Sequence, residues 1–223
     1  MNIDIDINFS DNLEASVDED DEIQLTPAEA IALMEEAWIN EKFAPEILPH
    51  KLELVECLLG QISYMEDNLR SLNSTDFKKI IHQLEVDRLR FLISSYLRTR
   101  LEKIETYVMP ILDEENERIQ QGVELYLTKQ ELKFAKDFAE DLQHHFDNIT
   151  TTRLPREEWN QECVKPNIHS FVFLKSKEEV EGIVIDDGND EDGDLVDLNR
   201  GSQMIISYKS VANLVKNGDV HLI

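Results

Sequence analysis

Between Gly60 and Pro110 the chain contains neither glycine nor proline, and from Ser74 or Thr75 to about Val108 its apolar residues recur at helical spacing. The stretch predicts a single long helix. At ~1.5 Å per residue it would reach roughly 50 Å, more than a compact domain of this size needs, so it must serve more than one neighbour. Turning about 100° per residue, Phe77, Ile80, Ile81, Leu84 and Phe91 gather on one side, and Ile93, Leu97, Leu101, Ile104 and Val108 nearly opposite. A helix apolar on several sides is buried on several sides. If its own domain supplies only one wall, another chain must supply the other.

The arginines of this helix sharpen the point, because residues three and four apart share a face and can pair there. Arg88 has Glu85, Arg90 has Asp87 and Arg98 has Glu102. Arg100 has Tyr96, Leu97, Lys103 and Ile104 at those spacings, which offer no carboxylate and one like charge. Its counter-ion comes from a partner chain or from a distant acid of its own fold, unless the side chain runs along its helix to solvent.

The remaining elements are read from caps and periods. In "TPAEAIALMEEAW", Thr26 is a ready N-cap, Pro27 suits the first helical position and Glu29 completes a capping box, with Ile31, Leu33, Met34, Ala37 and Trp38 as the stripe. Pro45 and Pro49 break the chain after it, and a second helix follows over about residues 50–71. Another capping box, Thr128 with Glu131, opens the last helix of this region, which closes near residue 149. A proline-bearing linker then leads to strand-like runs, "SFVFLK", "EGIVID", "DLVDLN" and "QMIISY", a short helix around residues 210–216 and a last strand "DVHLI". The fold class is α+β: an acidic tail over residues 1–22, an α-helical domain over 23–149, a linker over 150–168 and a small β-rich domain over 169–223. So small a unit is marginal alone and is expected to lean on another surface.

Charge narrows the function. The net charge of −25 is concentrated: residues 1–22 hold nine acids and residues 178–197 hold ten, neither with a base, leaving 28 acids against 22 bases elsewhere. Both runs read as solvated stretches kept soluble by self-repulsion. This balance argues against direct nucleic-acid binding, which is driven by Lys and Arg, and favours basic protein surfaces as partners. Cys57 and Cys163 are isolated and fit a reducing compartment. No apolar run approaches a membrane span, and the N-terminus is acidic where a signal peptide is basic, so a soluble intracellular chain is expected.

No dinucleotide, phosphate-loop, zinc-protease or nucleophile-elbow motif occurs, and the six histidines show no ligand spacing. The stretch "DDGNDEDGD" has a calcium-loop flavour, but a loop beginning at Asp187 puts Asp192 at the turn glycine and Leu198 at the bidentate glutamate, so the match fails. No catalytic residue, metal ligand or cofactor is assigned. A helical interaction protein is the expectation, ahead of a metal-dependent enzyme.

Several stretches together resemble one family: "LTPAEAIALMEEAWINEKFAPEILPHKLELVECLL", "IHQLEVDRLRFLISSYLRTRLEKIE", "SFVFL" after the linker, and "DLNRGSQMIISYKSVANLVKNGDVHLI". They are similar to the GINS complex of eukaryotic DNA replication, and within it to the Sld-five subunit, over nearly the whole chain after residue 22. The resemblance implies a helical A domain followed by a β-rich B domain, an order shared with one sister subunit and permuted in the other two. It implies a nuclear, non-catalytic part of a heterotetramer with three sister GINS subunits. That tetramer joins the cell-division-cycle protein forty-five and the minichromosome-maintenance ATPase ring in the replicative helicase and bridges to polymerase epsilon. "IDINFSDNL" resembles the acidic-hydrophobic peptide with which some members dock onto a trimeric replisome hub. The acidic loop over 186–194 has no counterpart in the resemblance. A general helical adaptor of another intracellular complex is the alternative. The residues expected at partner contacts are Trp38, Ile93, Tyr96, Leu97, Arg100, Leu101 and Ile104, with Leu222 and Ile223 as apolar anchors of the terminal strand.

Overall fold

The computed structural model describes residues 26–72, 76–149, 164–185 and 194–223. The acidic run over 1–22, Ser74 and Thr75, most of the linker with Trp159 and Cys163, and residues 186–193 of the acidic loop lie outside them.

Helix α1 (Pro27–Phe43) begins as its cap dictates: Glu29 N donates to Thr26 Oγ1 at 3.3 Å and Thr26 N to Glu29 Oε2 at 2.9 Å. It stops at Ala44, which precedes Pro45 and is held extended at φ −67°, ψ 134°. In α2 (Leu52–Ser71), Val55, Leu58, Ile62 and Leu69 are buried along one face. Helix α3 (Phe77–Thr106) starts at Asp76, whose side chain accepts from Lys78 N at 3.0 Å.

The long helix ends at Thr106, short of the expected Val108, and a separate α4 (Val108–Gln121) follows where the sequence predicts no element. Pro110 is the cause. In a continuous helix its ring would clash with the carbonyl of Thr106, four residues back, whereas the first turn of a new helix tolerates it. The chain bends at Tyr107, and α4 ends at Gly122 with φ 67°, a left-handed cap that glycine adopts freely. Helix α5 (Lys129–Ile149) closes the helical region.

Helix α3 belongs to two cores. Its Val86, Leu89, Leu92, Ile93 and Tyr96 pack with Ala30 and Met34 of α1 and Val55, Leu58, Ile62 and Leu69 of α2. Near its end Ile104 joins Val108 and Ile111 of α4, Ala135 of α5, Ile47 and Leu127.

The C-terminal region contains β1 (Phe171–Ser176), β2 (Val180–Ile185), β3 (Asp194–Leu198), β4 (Gln203–Ser207), α6 (Tyr208–Asn217) and β5 (Val220–Leu222), matching the strand and helix readings. Three strands form an antiparallel sheet in the order β4-β1-β5, with Phe173 opposite Ile205 and Leu174 opposite Leu222. Strands β2 and β3 form a separate ribbon. An extra residue on β2 between Val180 and Ile183 makes a bulge at Gly182, where φ is 74° and the amide donates to Asp197 Oδ1 at 2.8 Å.

The surface on which this small region leans is the end of the chain's own first helix. Ala44 and Leu48 sit in one buried cluster with Val172, Leu174, Ile206, Tyr208, Val220 and Leu222. Leu222 N donates to Asn40 Oδ1 at 2.8 Å, extending α1 contact to the outer edge of β5.

Candidate functional site

The question posed by Arg100 is answered inside the chain. Its side chain is fully buried, and each of its five N–H donors has an acceptor. Nε donates to Glu131 Oε1 at 2.7 Å and Nη2 to Glu131 Oε2 at 3.1 Å, the side-on pairing a guanidinium makes with a carboxylate. Nη1 reaches Glu41 Oε2 at 3.0 Å and the Leu48 carbonyl at 2.7 Å, while Nη2 also reaches the Tyr126 carbonyl at 2.8 Å. Lys103 completes the cluster, donating to Glu41 Oε1 at 2.7 Å, to the Glu46 carbonyl at 2.8 Å and to the Glu41 carbonyl.

Two cations therefore face two carboxylates, and the buried charge sums to zero. Burial alone would lower the Arg100 pKa, but the Glu131 hydrogen bonds and the Glu41 charge outweigh it and raise it. Burial likewise pushes the Glu131 carboxyl up, yet Arg100 and Thr128 hold it below the ordinary range. For Lys103 burial wins over Glu41 and the ammonium sits below its usual value. Tyr96 beside them is pushed up to about 12, chiefly by burial. Glu131 serves twice, since it also accepts from Thr128 N at 2.8 Å in the capping box that starts α5. The cluster ties α1, α3, α5 and the loop around Leu48 together. It offers no solvent-facing nucleophile.

The open surface lies on the other side of α3. Phe77, Ile80, Ile81, Leu84 and Phe91 are all exposed, Leu84 and Phe91 each by 64%. Trp38 lies at the rim, half-buried, in a T-shaped contact with Phe91 (ring centroids 6.2 Å apart) and with Nε1 donating to Ser95 Oγ at 2.9 Å. Arg88 crosses the stripe, paired with Glu85 at 2.8 Å and with Glu35 of α1. Arg90 pairs with Glu66 of α2 and lies 3.9 Å from Asp87.

The residues expected at partner contacts thus divide. Ile93, Tyr96, Arg100 and Ile104 are turned into the chain's own interior, because α1 and α2 cover one end of that face and α4 and α5 the other. Leu97 and Leu101 stay exposed on its flank, and Trp38 stays partly so. Leu222 is fully buried under the sheet, whereas Ile223 is exposed. On the outer sheet face Phe171, Phe173 and Ile205 stand out with it. The residues that sequence reasoning missed are Glu41 and the second role of Glu131. A signal was present: Glu41 continues the Ala30, Met34, Ala37 stripe and Glu131 continues the Ala135, Phe138, Leu142 stripe, each placing an acid where an apolar residue is due.

Among the described residues no group of three or more His, Cys, Asp or Glu side chains is placed to hold a metal, and no helix is long and apolar enough to cross a membrane. A depression of about 430 Å³ is lined by Lys177, Glu178, Glu179 and Arg200, without the apolar walls of a small-molecule site. Cys57 is exposed.

A helical bundle with an open apolar stripe, carrying a small docked β module, is the architecture of an assembly subunit. Residues 59–150 match the family described as GINS complex protein helical bundle domain, and residues 166–223 match the DNA replication complex GINS protein SLD5 C-terminus. The chain is 42% identical to the rat and 41% to the human DNA replication complex GINS protein SLD5, in each case over 91% of this chain and 93% of the relative. It is 30% identical to the Arabidopsis thaliana protein of the same name, over 96% of this chain and the whole of the relative. The chain belongs to the Sld5 family of GINS subunits, which places it in DNA replication and in a complex with other GINS subunits.

Proposed function

We propose that this chain is a non-catalytic structural subunit of a heterotetramer with three sister GINS subunits, and that the tetramer is a scaffold of the replicative helicase in the nucleus. The observation that carries this reading is the exposed stripe of Phe77, Ile80, Ile81, Leu84 and Phe91 on α3. Contiguous apolar side chains rimmed by polar ones mark a protein contact. Their spacing suits a helix of a sister subunit laid along α3. Trp38, Leu97 and Leu101 extend the contact around the helix. In this reading the ATPase work belongs to the minichromosome-maintenance ring. The cell-division-cycle protein forty-five and polymerase epsilon are reached through the assembled tetramer. The net charge of −25 opposes direct nucleic-acid binding.

The test is light-scattering mass of the chain co-expressed with its three sisters, as wild type and as the double variant Leu84→Glu, Phe91→Glu. Covering two such side chains contributes about 1.5–3 kcal/mol each, so the variant should assemble at least about 100-fold more weakly while the chain keeps its helical circular dichroism. A variant that assembles like the wild type refutes the assignment of this face. A wild-type chain that remains a monodisperse monomer beside its sisters refutes the scaffold reading itself.

A further inference from the structure

The contacts between the C-terminal region and the helical region are too specific to be a by-product of tethering. Asn40 Oδ1, in the last turn of α1, accepts the β5 amide of Leu222 at 2.8 Å. Glu46 Oε1 accepts from Tyr208 Oη at 2.9 Å and from Lys216 Nζ at 2.7 Å, so one carboxylate holds both ends of α6. Lys177 reaches Glu36 at 2.6 Å. Between these polar contacts Ala44 and Leu48 enter the C-terminal core, leaving little of their own surface exposed. A docking surface with a buried apolar centre, satisfied hydrogen bonds and a charged rim has the anatomy of a binding site.

We propose that the end of α1 and the loop over residues 44–49 form a built-in binding site for the chain's own β module, with Asn40 and Glu46 as the specificity-determining residues. The seat, and not the covalent linker, fixes the module. Its consequence is geometric: the outer sheet face bearing Phe171, Phe173, Ile205 and Ile223 is held at a set position relative to the helical region, so a partner meets both as one surface. The inference does not depend on which subunits cover α3.

A protease site placed between residues 151 and 163 of the full-length chain tests it. After cleavage, retention of the C-terminal piece on the helical region is followed by gel filtration on dilution. The expected result is co-elution at ten micromolar or below for the wild type, the range of a specific site (roughly micromolar dissociation constants). Asn40→Ala with Glu46→Ala should weaken retention by roughly 10- to 100-fold, as expected for losing buried hydrogen bonds and an ion pair. Lys177→Ala, which removes the more exposed rim pair, should change it by less than about threefold. Helical circular dichroism of the uncut variants confirms that the bundle still folds, since the Arg100 cluster uses Glu41 and only the backbone of Glu46. Separation of the wild-type pieces at that concentration overturns the proposal. So does retention by the double variant equal to that of the wild type.

Discussion

Replacing Arg100 with Ala should be among the most damaging single changes in the chain, and the structure gives the reason. The substitution strips Glu131 of its two guanidinium bonds, takes the side-chain donor from the Leu48 carbonyl and one of two donors from the Tyr126 carbonyl, which keeps His50 N at 3.1 Å, and turns a neutral buried cluster into one with an excess negative charge. Breaking a buried pair by removing one partner costs about 3–5 kcal/mol. For a chain of this length that corresponds to a melting temperature lower by roughly 6–20 °C. Chemical denaturation of the assembled protein would show the loss as a lower midpoint. A built-in comparison is Arg70→Ala: Arg70 pairs with Asp67 at 2.8 Å with both side chains more than 70% exposed, and its loss should stay within about 1 kcal/mol. Arg100→Lys should rescue only part of the loss, because an ammonium has three donors where five acceptors wait. An Arg100→Ala protein within about 1 kcal/mol of the wild type would refute the view that the cluster ties the helical region together.

The depressed Glu131 carboxyl makes stability pH-dependent. Its folded pKa lies below the unfolded value of about 4.5, so its contribution is complete above that pH and fades as pH falls through the folded value; acid titrations of unfolding should be flatter in Glu131→Gln. A profile unchanged by the substitution would exclude Glu131 as a source of acid lability. Leu222→Ala empties a fully buried position beneath the sheet and should cost about 2–5 kcal/mol, read as faster hydrogen exchange over residues 169–221 with α2 and α3 unaffected. Unchanged exchange there would show that β5 does not hold the module.

What could be read from the chain alone was what is decided locally. The two capping boxes, Thr26 with Glu29 and Thr128 with Glu131, fix helix starts through residues three apart, and the strands follow from short β-branched runs. Helix α4 was hidden for two reasons. Pro110 looks like a stop although it sits in a first turn, and the stripe of Val108 and Ile111 continues into Glu115, a buried acid that accepts from Tyr126 N at 2.9 Å. The Arg100 partners are 59 and 31 residues away, beyond any local pattern. The two faces of α3 were legible, but not which one stays open. That depends on where α1, α2, α4 and α5 settle, and the unseen α4 is part of the wall that closes the Ile104 end.

Because α3 contributes side chains to both helical cores, neither core is complete without it. Leu89 in one core and Ile104 in the other stand on the same helix, so a partner that orders α3 along its exposed stripe orders a wall of both. The helix is a beam shared by two rooms.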